Sequence, residues 1–215
     1  MHDPITRIIV GLPLFLLAIV LHELAHGYVA YLLGDDTAKR AGRLTLSPLA
    51  HLDVLGTLCF IISSLASFGF GWAKPVPISV DRLRNPWRDE ILVTLAGPGA
   101  NFVQAAIWAL LARLMLAPAI GRSMSGSLLE ALVTFFVLGV LLNLVLMVFN
   151  LLPIPPLDGS HVAIRLLGIK DPFLIGRLAP LGMIVLLLLI STSAFDVVSR
   201  AVVYPLAGLL VGIPI

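Results

Sequence analysis

The sequence predicts an all-α polytopic membrane protein of about five to six membrane helices, with a re-entrant element and a short β-strand or hairpin after the first helix. Three observations carry this. Of the 215 residues, 59% are hydrophobic and only 12% are charged, against about 45–50% and about 25% in a soluble domain. Mean hydropathy is +1.05. Several apolar runs also reach the ~20 residues that a spanning helix needs.

The run 5–33 is the first. It is too long for the apolar part of a signal peptide and carries His22, Glu23 and His26, so it reads as a retained membrane helix. In the loop 34–51, Leu44, Thr45 and Leu46 suit a short strand that Pro48 ends. The run 52–71 is apolar but rich in Gly and Ser, and its fate is ambiguous. Pro75 and Pro77 in the loop 72–89 favour an extended path. The runs 90–117, 127–152 and 173–192 read as membrane helices. The run 194–213 is weaker, because Asp196 and Arg200 lie near its start and Pro205 interrupts it. No repeat or domain boundary is visible, so residues 1–215 read as one membrane-embedded domain. A lone Cys59 offers no internal disulfide. A net charge of +2, with no basic run longer than two residues, argues against nucleic acid as a partner.

One motif carries chemistry. His22-Glu23-Leu24-Ala25-His26 is an H-E-x-x-H sequence. On a helix, residues i and i+4 share a face, so two imidazoles can hold one Zn²⁺ while the intervening Glu acts as a base. An acidic side chain at membrane depth costs about 2.5–3.5 kcal/mol on insertion scales and usually marks function. A catalytic zinc keeps three protein ligands and one open position, so a third ligand must come from elsewhere. Asp158 stands out among the remaining acids. It follows an apolar helix, in a stretch where Pro153, Pro155 and Pro156 stop a helix and Gly159 lets the backbone turn.

These features resemble the site-2 proteases, the zinc intramembrane metalloproteases. The resemblance rests on His22-Glu23-x-x-His26, on Leu157-Asp158-Gly159 and on Asn150 eight residues before the aspartate. The segments Ala96–Asn101 and Gly42–His51 are similar to those of a compact bacterial subgroup without a PDZ domain. The match covers about residues 10–165, which would form the catalytic core, with C-terminal helices at about 173–213. The resemblance implies that His22, His26 and Asp158 ligate one Zn²⁺ per chain, that Glu23 is the general base, and that Asn150 stabilises the oxyanion.

The metal site then constrains topology. The His pair lies in the second half of the first helix, and Asp158 lies past the end of 127–152, so both ends share a membrane side. With 90–117 returning between them, 34–89 makes no net crossing, and 52–71 dips in and comes back. This leaves Arg7, Arg113, Arg122 and Arg200 on one side and the other ten of the 14 Lys and Arg on the active-site side. A full crossing by 52–71 would divide them eight against six. The positive-inside rule favours the first arrangement and turns the active site towards the cytoplasm.

The remaining polar residues have blander readings. His51 and Asp53 suit a polar pair in a loop or at the interface. His161, one turn after Asp158, is a candidate for support behind the metal ligands or for a helix start. Asn101 and Asn143 suit interhelical hydrogen bonds, and Gly97 and Gly99 suit close helix packing. Arg43, Leu44, Thr45 and Leu46 are candidates for holding an unwound substrate by edge pairing.

The expectation is a multi-pass cell-membrane protein: a zinc endopeptidase acting on transmembrane proteins or peptides within or beside the lipid bilayer, with homo-oligomerisation left open. The rival is a metal-binding transporter or adaptor that does not hydrolyse. It lacks a second set of ionisable residues in the confident spans.

Overall fold

A computed structural model describes residues 4–65, 71–121, 123–169, 171 and 173–213. Phe68, Gly69 and Phe70 of the ambiguous run, and the charges of Arg122 and Lys170, lie outside the described residues.

The first helix, α1, runs Pro4–Leu32. It ends where Gly34 adopts φ +113° and the Asp35 N–H bonds the Ala30 carbonyl at 2.9 Å. The Asp35 side chain is fully buried and accepts the N–H groups of Thr37 (3.0 Å) and Ser79 (2.6 Å). One carboxylate thus ties the loop after α1 to the loop before the next long helix. Two short turns follow, α2 (Thr37–Arg40) and α3 (Pro48–His51).

The expected strand at 43–47 does not form. Gly42 sits at φ +67°, the Arg43 N–H closes α2 on the Ala38 carbonyl, and the Ser47 N–H turns back onto Thr45 Oγ1. With the N–H groups at both of its ends held locally, this stretch forms no ladder. Among the described residues, β-type pairing is confined to one antiparallel bridge between Leu52 and Ala73.

That bridge brings the two ends of the ambiguous run together. Beside it, the Lys74 N–H bonds the His51 carbonyl at 2.8 Å, so the chain comes back to where it left. In between, α4 (Val54–Leu65) has 12 residues, about 18 Å of helix against a ~30 Å hydrocarbon core. Asp53 caps it by accepting the Gly56 N–H at 2.8 Å, and Phe60 stacks on Phe15 of α1 with ring centroids 4.3 Å apart.

The long helix α5 (Pro86–Leu116) begins at an Asp89 carboxylate that accepts the Asn85 N–H, and it carries Pro98 inside. After α6 (Pro118–Gly121), α7 (Gly126–Asn150) returns. The prolines at 153, 155 and 156 stop it, and α8 (Asp158–Leu166) starts at the aspartate. Then come α9 (Leu174–Ser191), α10 (Ser193–Val198), a π-helical turn (Ser199–Val203) and α11 (Tyr204–Val211). The π turn falls just before Pro205, whose missing N–H breaks the regular ladder. Five helical stretches are long and apolar enough to cross a membrane, at Ile8–Leu32, Pro86–Leu116, Gly126–Asn150, Leu174–Ser191 and Ser193–Val211. The fold marks a multi-pass membrane protein.

Helix α5 lies at the centre, packed on α1, α7 and α8. Ala105, Ala109 and Ala112 present a small-residue face to Val140 and Leu144 of α7 and to Val203, Ala207 and Val211 beyond. Small side chains let backbones approach without a hydrophobic drive from water. The last span runs from Phe195, stacked on Phe149 near the end of α7, to the Leu209 carbonyl, bonded by Arg113 near the end of α5. Helix α9 is the least buried of the five long stretches. It meets the proline loop at Gly182, where any Cβ would overlap the Pro155 carbonyl.

A candidate metal centre

Two elements bring three donor atoms together. His22 and His26 lie one turn apart on α1, and Asp158 opens α8. Their Nε2, Nε2 and Oδ2 atoms form a triangle with edges of 3.0 Å between the imidazoles and 3.3 and 3.4 Å from Asp158 to His22 and His26. An ion with tetrahedral ligands at about 2.0–2.1 Å sets ligand–ligand edges of about 3.3 Å.

The protonation of the ring nitrogens is fixed from behind. His22 Nδ1–H donates to Asn101 Oδ1 at 2.6 Å, and His26 Nδ1–H donates to the Val93 carbonyl at 2.7 Å. With both Nδ1 atoms protonated, both Nε2 atoms of the neutral rings offer lone pairs. Asp158 Oδ2 is buried and accepts no hydrogen bond among the described residues. Three converging lone pairs, one on an anion, require a cation. Space is provided as well. A Cβ on Gly97 would stand 2.6 Å from His22 Nε2 and nearer still to His26 Nε2, so only a glycine leaves this pocket open. The residues present fit a zinc ion.

Asn101 continues the support inward. Its Nδ2–H donates to Asn143 Oδ1 at 3.0 Å, and Asn143 donates to the Gly139 carbonyl at 2.9 Å. This buried relay locks α1, α5 and α7 in register around the imidazoles. An interhelical bond is what the sequence predicts for Asn101. Its partner, a histidine of the H-E-x-x-H motif, could not be read from the pattern. The sequence predicts close helix packing at Gly97, and the side chains it clears are the two imidazoles. The available signal was a polar Asn four residues after Gly97 inside an apolar helix.

Glu23 is half-buried, and its Oε2 accepts the Val76 N–H at 2.8 Å. It lines a cavity of about 1130 Å³ together with His22 and Asn150. The other walls come from α1, α4, α7, α9 and α10, and from Gly71–Ala73. Asn150 donates from Nδ2 to the Leu146 carbonyl of its own helix at 2.9 Å, which leaves its second amide hydrogen for another acceptor.

The remaining candidates fall elsewhere. His161 Nδ1 faces Glu90 of α5 at 3.4 Å, and Arg165 pairs with the same carboxylate while lying over the Trp87 ring. Together they moor α8, and with it Asp158, to α5. Arg43, Leu44, Thr45 and Leu46 are not among the cavity's lining residues. Arg43 is buried and donates to the Lys74 carbonyl at 2.6 Å, Thr45 offers its carbonyl to His51 Nε2–H at 2.9 Å, and Leu46 is exposed. His51 is fully buried, a structural residue of this loop.

Comparison with known proteins finds relatives whose names describe zinc metalloproteases. Residues 115–191 match the family model described as Peptidase family M50. The chain is 45% identical over 147 residues to "Putative zinc metalloprotease YwhC" of Bacillus subtilis, covering 68% of this chain and 64% of that protein. It is 34% identical to "Putative zinc metalloprotease Rip2" of Mycolicibacterium smegmatis and 31% identical to the Rip2 of Mycobacterium tuberculosis, each covering 67% of this chain and 52% of the relative. The chain thus spans between about half and two thirds of the length of these relatives. No solved structure is similar at a significant level.

Proposed function

We propose that this chain, related to Peptidase family M50, is a zinc metalloendopeptidase that cleaves membrane-protein substrates within or beside the bilayer. One observation carries the reading: His22, one corner of the lone-pair triangle with His26 and Asp158, lines a large, mostly apolar cavity together with Glu23. In this reading each chain holds one Zn²⁺.

Bound zinc supplies Lewis acidity, polarising a peptide carbonyl and making a water molecule more acidic. The two imidazoles and the Asp158 carboxylate hold the ion. Asn101 and the Val93 carbonyl keep both rings in the tautomer that leaves Nε2 free. Glu23 takes the proton from the attacking water and delivers it to the leaving amine. Asn150, through its uncommitted amide hydrogen, donates to the oxygen that becomes negative at the scissile carbonyl. The apolar walls receive a transmembrane segment and exclude bulk water. Its amides are hidden in a helix, so the segment unwinds before attack. The cluster of basic residues on the Asp158 side supports a site that opens towards the cytoplasm.

The test is Glu23→Gln, purified in detergent and offered single-span transmembrane peptides. Zinc content should equal that of the wild type, while cleavage falls by about 10²- to 10⁴-fold. Undiminished cleavage would overturn the assignment.

A further inference from the structure

The segment Lys74-Pro75-Val76-Pro77 contains two prolines that have no N–H, so among residues 75–77 Val76 holds the sole backbone donor. That donor is directed at Glu23 Oε2, 2.8 Å away.

The segment is fixed on several sides. The Lys74 carbonyl accepts from the buried Arg43 guanidinium at 2.6 Å, and the Lys74 N–H bonds the His51 carbonyl at 2.8 Å. His51 Nε2–H is in turn held by the Thr45 carbonyl. Val76 is itself buried and lies against α1 at Gly27, where an added Cβ would meet Val76 Cγ1 at 3.0 Å and Leu44 Cδ2 at 2.9 Å. The extended stretch is therefore laid directly along the helix that carries the His pair. A carboxylate has two oxygens. Holding one in a charge-assisted hydrogen bond orients the other while leaving it able to accept a proton.

We propose that Val76, through its backbone N–H, is a positioning residue for Glu23, and that Arg43 maintains the placement by holding the Lys74 carbonyl. This rests on Glu23 being the general base. The prolines on either side stiffen the stretch and remove donors that would compete for the carboxylate. The Arg43 side chain, buried in the loop, thereby acts on the cavity from outside it.

The experiment compares Val76→Pro, which deletes the N–H, with Val76→Ala, which keeps it. Both are measured as zinc-loaded full chain on a transmembrane peptide that the wild type cleaves. Loss of one charge-assisted hydrogen bond predicts a kcat about 10- to 100-fold lower for Val76→Pro than for Val76→Ala. KM and zinc content should be alike in the two. Equal kcat values overturn the proposal. If Val76→Pro fails to bind zinc, Arg43→Leu decides: a lower kcat at unchanged KM and zinc content, partly restored by Arg43→Lys, supports the coupling, and a wild-type kcat overturns it. Full cleavage by Glu23→Gln would sink the underlying reading. An inactive Glu23→Gln beside equal Val76 variants would sink only this inference.

Discussion

Asn101 accepts the Nδ1–H of His22 at 2.6 Å across 79 positions of sequence, both side chains being buried. The bond reaches from the centre of α5 to the first imidazole of the motif on α1. Replacing Asn101 with Leu leaves that N–H unpaired and frees the ring to turn or change tautomer. Zinc affinity should fall about 10- to 100-fold, as for other residues that orient metal-bound histidines. Chelator competition reads this directly, and an unchanged dissociation constant would refute it.

Gly97 and Gly99 make a paired test on the same helix. Gly97→Ala drives a methyl group into both imidazoles, and Gly99 faces open space with nothing within 4 Å. Zinc content should drop sharply in Gly97→Ala and stay at the wild-type level in Gly99→Ala. Similar occupancy in both variants would mean that the imidazoles do not face α5 as described.

Removal of Asp158 takes away the anionic member of the donor set. Asp158→Ala should bind far less zinc than the wild type at equal free metal. It should also lose the stabilisation that a tightly bound ion provides, about 2.7 kcal/mol when free metal is 100 times the dissociation constant. Thermal unfolding with and without a chelator measures this. The chelator should lower the wild-type Tm and leave that of Asp158→Ala almost unmoved.

The Glu90–Arg165 pair sits at the α5–α8 contact with both side chains largely shielded. Arg165→Ala strands the Glu90 carboxylate against His161 alone. Roughly 1–3 kcal/mol of stability should be lost, the cost of leaving a charged group short of its partner. The lower Tm should be accompanied by weaker zinc binding, since α8 carries Asp158. A variant with unchanged affinity would show that α8 holds its place by packing alone.

Much of this protein could be read in advance because bilayer and metal each impose a simple rule. Long apolar runs gave the five spans, and an i, i+4 histidine pair with a carboxylate after a proline-stopped helix gave the donor set. What escaped depends on contacts that have no sequence period. The stretch 43–47 has the composition of a strand, yet the Ala38 carbonyl and the Thr45 hydroxyl hold the N–H groups at its two ends locally. The edge-pairing role expected of Arg43 depends on that strand, and the Arg43 guanidinium bonds a carbonyl 31 residues away. Asn101 became informative only when folding set it behind His22. The last span was legible as hydrophobic, while its break at Ser199–Val203 depended on how Pro205 is accommodated.

The fit of Gly182 against the Pro155 carbonyl has a consequence for handling the protein. Helix α9 shares little interlocking surface with its neighbours, so lipid tails supply most of its solvation. One wall of the large cavity is thus partly built by the surrounding solvent. Exchange from a thick bilayer into a small detergent micelle should unseat that wall before any other helix shifts, and the choice of amphiphile then becomes part of the protein's composition.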